Sequence, residues 1–116
     1  MDDKLIFEGE YLNGKRNGKG KEYRNGSLIF EGEYLNGKRN GEGKAYYDGV
    51  LIFQGEYING ECLSGTEYNF RGYFVFSGQY LNGKRWNGRG YYIAPHAEYK
   101  IKLEYIDGKV LELGYE

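Results

Sequence analysis

Residues 29–43 read IFEGEYLNGKRNGEG, and residues 6–20 repeat them with Lys19 in place of Glu42 as the only change. In the first seven positions Phe30, Gly32 and Tyr34 fall on one face of an extended chain. Ile29, Glu31, Glu33 and Leu35 fall on the other, which is the two-residue alternation of a strand. Asn36-Gly37 then supplies the left-handed backbone that a tight hairpin turn demands. A second Asn-Gly pair, Asn40-Gly41, precedes Gly43, and the return strand runs on to Tyr47 before turning again at Asp48-Gly49. One β-hairpin is spelled out in full.

The hairpin recurs. Phe7, Phe30, Phe53 and Phe76 stand 23 residues apart, and so do Tyr11, Tyr34, Tyr57 and Tyr80. The glycines between them and the pairs Asn13-Gly14, Asn36-Gly37, Asn59-Gly60 and Asn82-Gly83 keep the same step. Self-similarity at a fixed period marks a repeat architecture. The units run over about 6–28, 29–51, 52–74 and 75–93, followed by 94–116, all within a single domain spanning 1–116. No window carries the apolar spacing of a helix. The pattern predicts an all-β fold, an elongated single-layer antiparallel β-meander of stacked 23-residue hairpins. About nine or ten strands at ~4.8 Å spacing make a sheet roughly 45 Å long. On the Phe-x-Gly-x-Tyr face, glycine leaves room for rings of the neighbouring strand, and tyrosine suits a half-wet surface. The Glu-rich opposite face has Lys19, Lys21 and Lys44 as cross-strand partners.

The later units depart from the pattern. Lys-Arg-Asn becomes Glu61-Cys62-Leu63 in the third, whose second strand shifts around Ser64-Gly65. The fourth reads as gaining one residue near Trp86, on an inserted loop position, with Gly88 and Gly90 displaced from the period. Beyond Ile93 the repeat stops, with Pro95 and His96 in a loop. Residues 99–105 alternate cleanly, turn at Asp107-Gly108 and return through Val110 to Tyr115. Residues 94–116 thus read as a C-terminal capping hairpin, the atypical end that a stacked repeat needs; an extra binding element is the alternative.

Composition excludes several classes of function. The 20 glycines and 14 tyrosines sit in a chain that is 18% aromatic, too aromatic for a disordered segment. Sixteen basic and 17 acidic residues are thoroughly mixed, so there is no footprint for nucleic acid. Met1-Asp2-Asp3-Lys4 has acid where a secretory signal needs base, and no apolar run is long enough to span a membrane, which points to a cytoplasmic protein. The lone Cys62, read as lying in a turn, rules out an internal disulfide framework and has no second metal ligand nearby. Gly18-Lys19-Gly20 lacks the helix of a phosphate-binding loop. The pairs Glu8/Glu10 and Glu31/Glu33, repeated alike, are a solvated face and not an acid–base pair. Asn25-Gly26-Ser27 has the form of a glycosylation sequon but lacks a secretory context. The reading is therefore of a chain with no catalytic residue, no cofactor and no metal.

The pattern F-E-G-E-Y-x-N-G-K-x-x-G-x-G-x-x-Y, at 7–23 and 30–46, resembles the MORN repeat (membrane occupation and recognition nexus). Phe replaces the family's leading Tyr, and Tyr11, Tyr34, Tyr57 and Tyr80 stand at its second aromatic. The sequence is also similar to a MORN variant of bacterial antitoxin-like proteins. The resemblance covers Ile6 to about Tyr92, with a faint fifth unit at Tyr105 to Gly114. It implies a twisted, sometimes grooved sheet that serves protein assembly or membrane attachment without catalysis. The leading expectation is a protein–protein interaction or scaffold module whose partner is another protein. The alternatives are a peripheral lipid-binding module, using the basic turns Lys15-Arg16, Lys38-Arg39 and Lys84-Arg85 for weak anionic-lipid contact, and an antitoxin-like immunity partner. Candidate partner-binding residues are the ring row Phe7, Tyr11, Phe30, Tyr34, Phe53, Tyr57, Phe76 and Tyr80, together with Trp86. The same rings also suit a purely structural role, covering the backbone, and Trp86 suits packing on the neighbouring loop.

Overall fold

The computed structural model describes residues 3–95 and 99–115, and among these it is a single ten-stranded antiparallel sheet without helix. The strands are β1 (Leu5–Leu12), β2 (Lys15–Arg24), β3 (Ser27–Leu35), β4 (Lys38–Tyr47), β5 (Val50–Ile58), β6 (Glu61–Tyr68), β7 (Phe74–Leu81), β8 (Lys84–Ile93), β9 (Lys100–Ile106) and β10 (Lys109–Tyr115). They lie side by side in chain order, a pure meander with extents of 51 × 31 × 21 Å. Strands β9 and β10 form the hairpin expected to follow the fourth unit. His96, expected in a loop, lies outside the described residues.

The turn chemistry works as the sequence implies. Asn13 and Gly14 have φ of 53° and 78°, the left-handed pair of a two-residue hairpin. The second Asn-Gly has a different job. Gly18 and Gly41 have φ of 94° and 103°, yet both lie inside strands, β2 and β4. Each sits in a bulge where three residues of the return strand face one of the outgoing strand: Gly9 pairs with Gly20 but Tyr11 with Arg16. The outgoing residue at that point is Glu10, whose carboxylate accepts a 2.9 Å hydrogen bond from the amide of Lys19. Glu33 accepts from the amide of Glu42 at 3.3 Å in the next unit.

Counting residues across these bulges corrects the reading of the later units. Gly20 and Gly43 each lie eleven residues after their glycine partners Gly9 and Gly32. Gly65 and Gly88 lie only ten after Gly55 and Gly78. The fourth hairpin has therefore lost a residue from its bulge, not gained one. Trp86 is consequently not on an inserted loop; it lies within β8, where it is the residue skipped between the pairs Gln79–Asn87 and Tyr80–Arg85. Cys62 is likewise not in a turn but in β6, opposite Tyr57.

Facing glycines form a continuous row through the eight strands of the repeats. A β-carbon built on Gly9, Gly32, Gly55 or Gly78 would come within 2.6–2.7 Å of the facing glycine's Cα, so no side chain fits there. Successive hairpin ends also hold one another: the amides of Gly37, Gly60 and Gly108 donate to the carbonyls of Arg16, Arg39 and Trp86 at 2.8–2.9 Å. These three turns are thereby pinned to the bulged strand of the unit before them.

Candidate functional site

The structure brings the eight rings of the Phe-x-Gly-x-Tyr row together. Phe7 lies over Gly20, Phe30 over Gly43, Phe53 over Gly65 and Phe76 over Gly88, so each phenyl ring occupies space that a side chain on the next strand would fill. Tyrosines two strands on close the seam. Phe7–Tyr34, Phe30–Tyr57 and Phe53–Tyr80 meet edge to face at centroid distances of 5.0, 5.3 and 5.6 Å, and Phe76 meets Tyr105 of β9 at 5.0 Å. Such geometry suits the ring quadrupole and adds about 0.5–1.5 kcal/mol per pair beyond area burial. The centre of this row is closed to solvent, with exposures of 0% for Phe30 and Phe76, 3% for Tyr34 and 9% for Tyr57. Phe7, Phe53 and Tyr80 are half-buried, and Tyr11 at the end of the row is exposed. Trp86 stands apart from the row. Its indole packs on Gly108, where an added β-carbon would come 2.8 Å from Cζ3, and so it holds the turn of the last hairpin.

Arginines and glutamates seal the seam from above. Arg16, Arg39 and Arg85 place their guanidinium carbons 4.2, 3.9 and 5.1 Å from the ring centres of Phe7, Phe30 and Phe76. Glu22 of β2 lies in register between Phe7 and Phe30, accepting hydrogen bonds from the Tyr34 hydroxyl and, at 2.9 Å, from Arg39 Nε. Glu67 of β6 repeats the arrangement between Phe53 and Phe76. It accepts from Tyr80 at 2.6 Å and from both Nε and a terminal nitrogen of Arg85 at 3.0 and 2.8 Å. The Arg85 guanidinium also donates to the Tyr105 hydroxyl at 2.8 Å. Burial opposes ionisation of both carboxyls, but the hydrogen bonds and positive charge of their arginines, with the tyrosine hydroxyls, outweigh it and hold both below the usual carboxylate range. Burial and the neighbouring carboxylate push the Tyr34 and Tyr80 hydroxyls well above theirs.

The clamp skips a unit. Ala45 stands where Glu22 and Glu67 do, between Phe30 and Phe53, and Cys62 stands where an arginine would cover Phe53. Carboxylate and guanidinium are lost together, which explains the cysteine. Burial first, then the charge of Glu67, raises its thiol to about 12, the state of an inert packing group. Taken one at a time, Glu22 and Glu67 each look like a surface charge in the sequence. The signal was available in their alternation with Ala45 and in the loss of arginine one unit later.

The opposite face forms a groove of about 820 Å³ across the first three hairpins. One register row along it runs Glu8, Lys21, Glu31, Lys44, Gln54, Thr66. Lys19, Glu33, Glu42 and Glu56 line it alongside, the glycine backbone is part of its lining, and Tyr68 adds an aromatic wall. The sequence expectation was that these lysines pair with the glutamates across strands. They are neighbours in register, yet none of Lys19, Lys21 and Lys44 makes an ion pair among the described residues. All three are exposed. Glu31 is engaged instead by the Tyr46 hydroxyl at 2.7 Å, a bond that with burial pushes that hydroxyl up to about 12.

A single sheet whose hairpins repeat a ring-over-glycine seam defines a β-hairpin repeat protein. The MORN repeat model matches residues 7–28 and 30–49, so the chain carries MORN repeats in its first two hairpins. Apart from their shorter bulges, the third and fourth units share the antiparallel pairing and the ring contacts of the two matched ones. A search of curated proteins found no match. MORN repeats are in general non-catalytic modules of protein or membrane interaction. No helix among the described residues is long and apolar enough to cross a membrane.

Proposed function

We propose that this chain is a non-catalytic protein–protein interaction module, and that its partner lies along the charged groove. The observation that carries this reading is the contrast between the two faces. The rings and their arginines are satisfied by one another, whereas the lysines of the groove make no ion pair among the described residues and stand on a wide concave surface. Five carboxylates (Glu8, Glu31, Glu33, Glu42, Glu56) against three lysines (Lys19, Lys21, Lys44) give the lining a charge of 3 − 5 = −2. That suits an extended protein segment with a basic bias, held by charge complementarity.

The clamps weaken the lipid alternative. Of the basic turns, Arg39 and Arg85 are bound to Glu22 and Glu67, and Arg16 lies on Phe7. Lys15, Lys38 and Lys84 remain, each contributing about 1 kcal/mol at an anionic surface. A partner captured with the purified chain tests the reading. Glu42→Lys with Glu56→Lys, both exposed, should weaken its binding about tenfold or more, while Tyr57→Phe in the seam leaves it unchanged. Equal binding by the groove variant, or retention of the chain on anionic vesicles at ~0.15 M salt, would reject the proposal.

A further inference from the structure

Two ends of the sheet are incomplete in complementary ways. β1 and β10 are its outer strands, each with one side of its backbone unpaired among the described residues. Followed across the sheet, the register row that holds the phenylalanines passes through Phe76, Gly90 and Leu103 and ends on β10 at Glu112. That is the row of Glu22 and Glu67, and β10 runs away from its Asp107-Gly108 turn just as β2 runs away from Asn13-Gly14. Glu112 is exposed and has no hydrogen-bond or ion-pair partner among the described residues. At the opposite end, Tyr11 and Arg16 stand where Tyr34 and Arg39 stand one unit on, but among the described residues no strand precedes β1 to offer them a carboxylate. Tyr11 is 58% exposed, and Arg16 rests on Phe7 without an ion pair among the described residues.

We propose that this protein assembles head to tail. The free edge of β10 in one copy adds antiparallel to the free edge of β1 in the next, and Glu112 receives the Tyr11 hydroxyl and Arg16 guanidinium of that copy as Glu22 receives Tyr34 and Arg39. The strand directions permit it, because β10 runs as β2 does and so lies antiparallel to an incoming β1. The apolar surface is present on both sides. Val110, 53% exposed, holds the glycine position of β10 and Leu103 the phenylalanine position of β9, so Tyr11 meets two aliphatic side chains in place of a phenyl ring over glycine. Leu12 and Leu111, 58% and 51% exposed, add to the two edges. Long apolar edge strands are templates for pairing. The contact joins two different surfaces, so it does not close on itself as a two-fold dimer would; it extends as a series of oligomers unless the accumulated rotation closes a ring.

Sedimentation equilibrium of the full chain over a concentration series is the test. The parent should self-associate, and Glu112→Arg, an exposed change that leaves the fold intact, should weaken association about tenfold or more, since hydrogen bonds to a charged group are lost and like charges meet. Arg16→Glu, with folding checked by circular dichroism, should do the same. Each variant alone sets like charges against each other at the joint, two guanidinium groups in Glu112→Arg and two carboxylates in Arg16→Glu. A mixture of the two, with copies alternating, restores an opposite-charge pair at every joint and should re-associate. A parent that stays monomeric throughout, or a Glu112→Arg variant that associates like the parent, would overturn the proposal. So would a mixture that stays as dissociated as its components. The groove plays no part in this contact, so either proposal can fail without the other.

Discussion

The skipped clamp can be rebuilt. Ala45 and Cys62 occupy the places of Glu22 and Arg39, and Tyr57 already occupies that of Tyr34. Ala45→Glu alone sets a carboxylate beside the seam without its cation and should cost about 1–3 kcal/mol. Cys62→Arg alone lays a guanidinium over Phe53, where the nearby Glu67 is already bound to Arg85, and should change stability by less than about 1 kcal/mol. Together they should restore the hydrogen bonds that Glu22 accepts from Arg39 and Tyr34. In the native clamp the side chains of Arg39 and Glu22 are 31% and 20% exposed, so water screens the pair in part and the lower end of the range for charged hydrogen bonds applies. The coupling energy of the double-mutant cycle should be about 2 kcal/mol favourable. Urea unfolding of the four proteins at pH 7 measures it directly. Effects that add to within ~0.5 kcal/mol would show that the Glu–Tyr–Arg arrangement is not a cooperative unit.

Other expectations follow from the same seam. Glu22→Gln and Glu67→Gln should each be less stable than the parent at pH 7; because both native carboxyls titrate below 4.5, that advantage is full above pH 4.5 and should vanish as acid protonates them, which urea midpoints across pH 2–7 would follow. Gly43→Ala would place a β-carbon 2.7 Å from Phe30 Cε1 and 3.0 Å from Tyr57 Cε1, and should cost about 1–3 kcal/mol by overpacking. The Cys62 thiol, raised to about 12, should alkylate at pH 8 more than about tenfold slower in the native protein than in urea, as a mass-spectrometric time course would record. Trp86→Ala should speed hydrogen exchange at the Gly108 amide, bonded at 2.8 Å to the Trp86 carbonyl, without altering exchange around Phe30.

The fold was legible because its signals are local. Phe30-x-Gly32-x-Tyr34 fixes which face carries rings, and Asn36-Gly37 fixes the turn. Register was not legible. Asn17-Gly18 has the composition of a turn but makes a bulge, and nothing in the sequence says whether that bulge absorbs two extra residues or one. That ambiguity is why the fourth unit reads as an insertion around Trp86 when it is a deletion. The clamps were hidden for a related reason: Glu22 meets Tyr34 and Arg39 only after two further strands have been laid in place. The groove differs from its sequence pattern in another way, since alternating Glu and Lys suggest neutralised pairs, whereas Lys19, Lys21 and Lys44 are exposed and make no ion pair among the described residues.

The division of labour between the two faces is tested most directly by hydroxyl-radical footprinting read by mass spectrometry on the native protein. Phe30, Tyr34, Tyr57 and Phe76 should be strongly protected, while Tyr11, Tyr47 and Tyr73, each more than half exposed, react readily. Modification of those four central rings at rates comparable with Tyr11 would mean that the seam is open, and that the ring row itself is available to a partner.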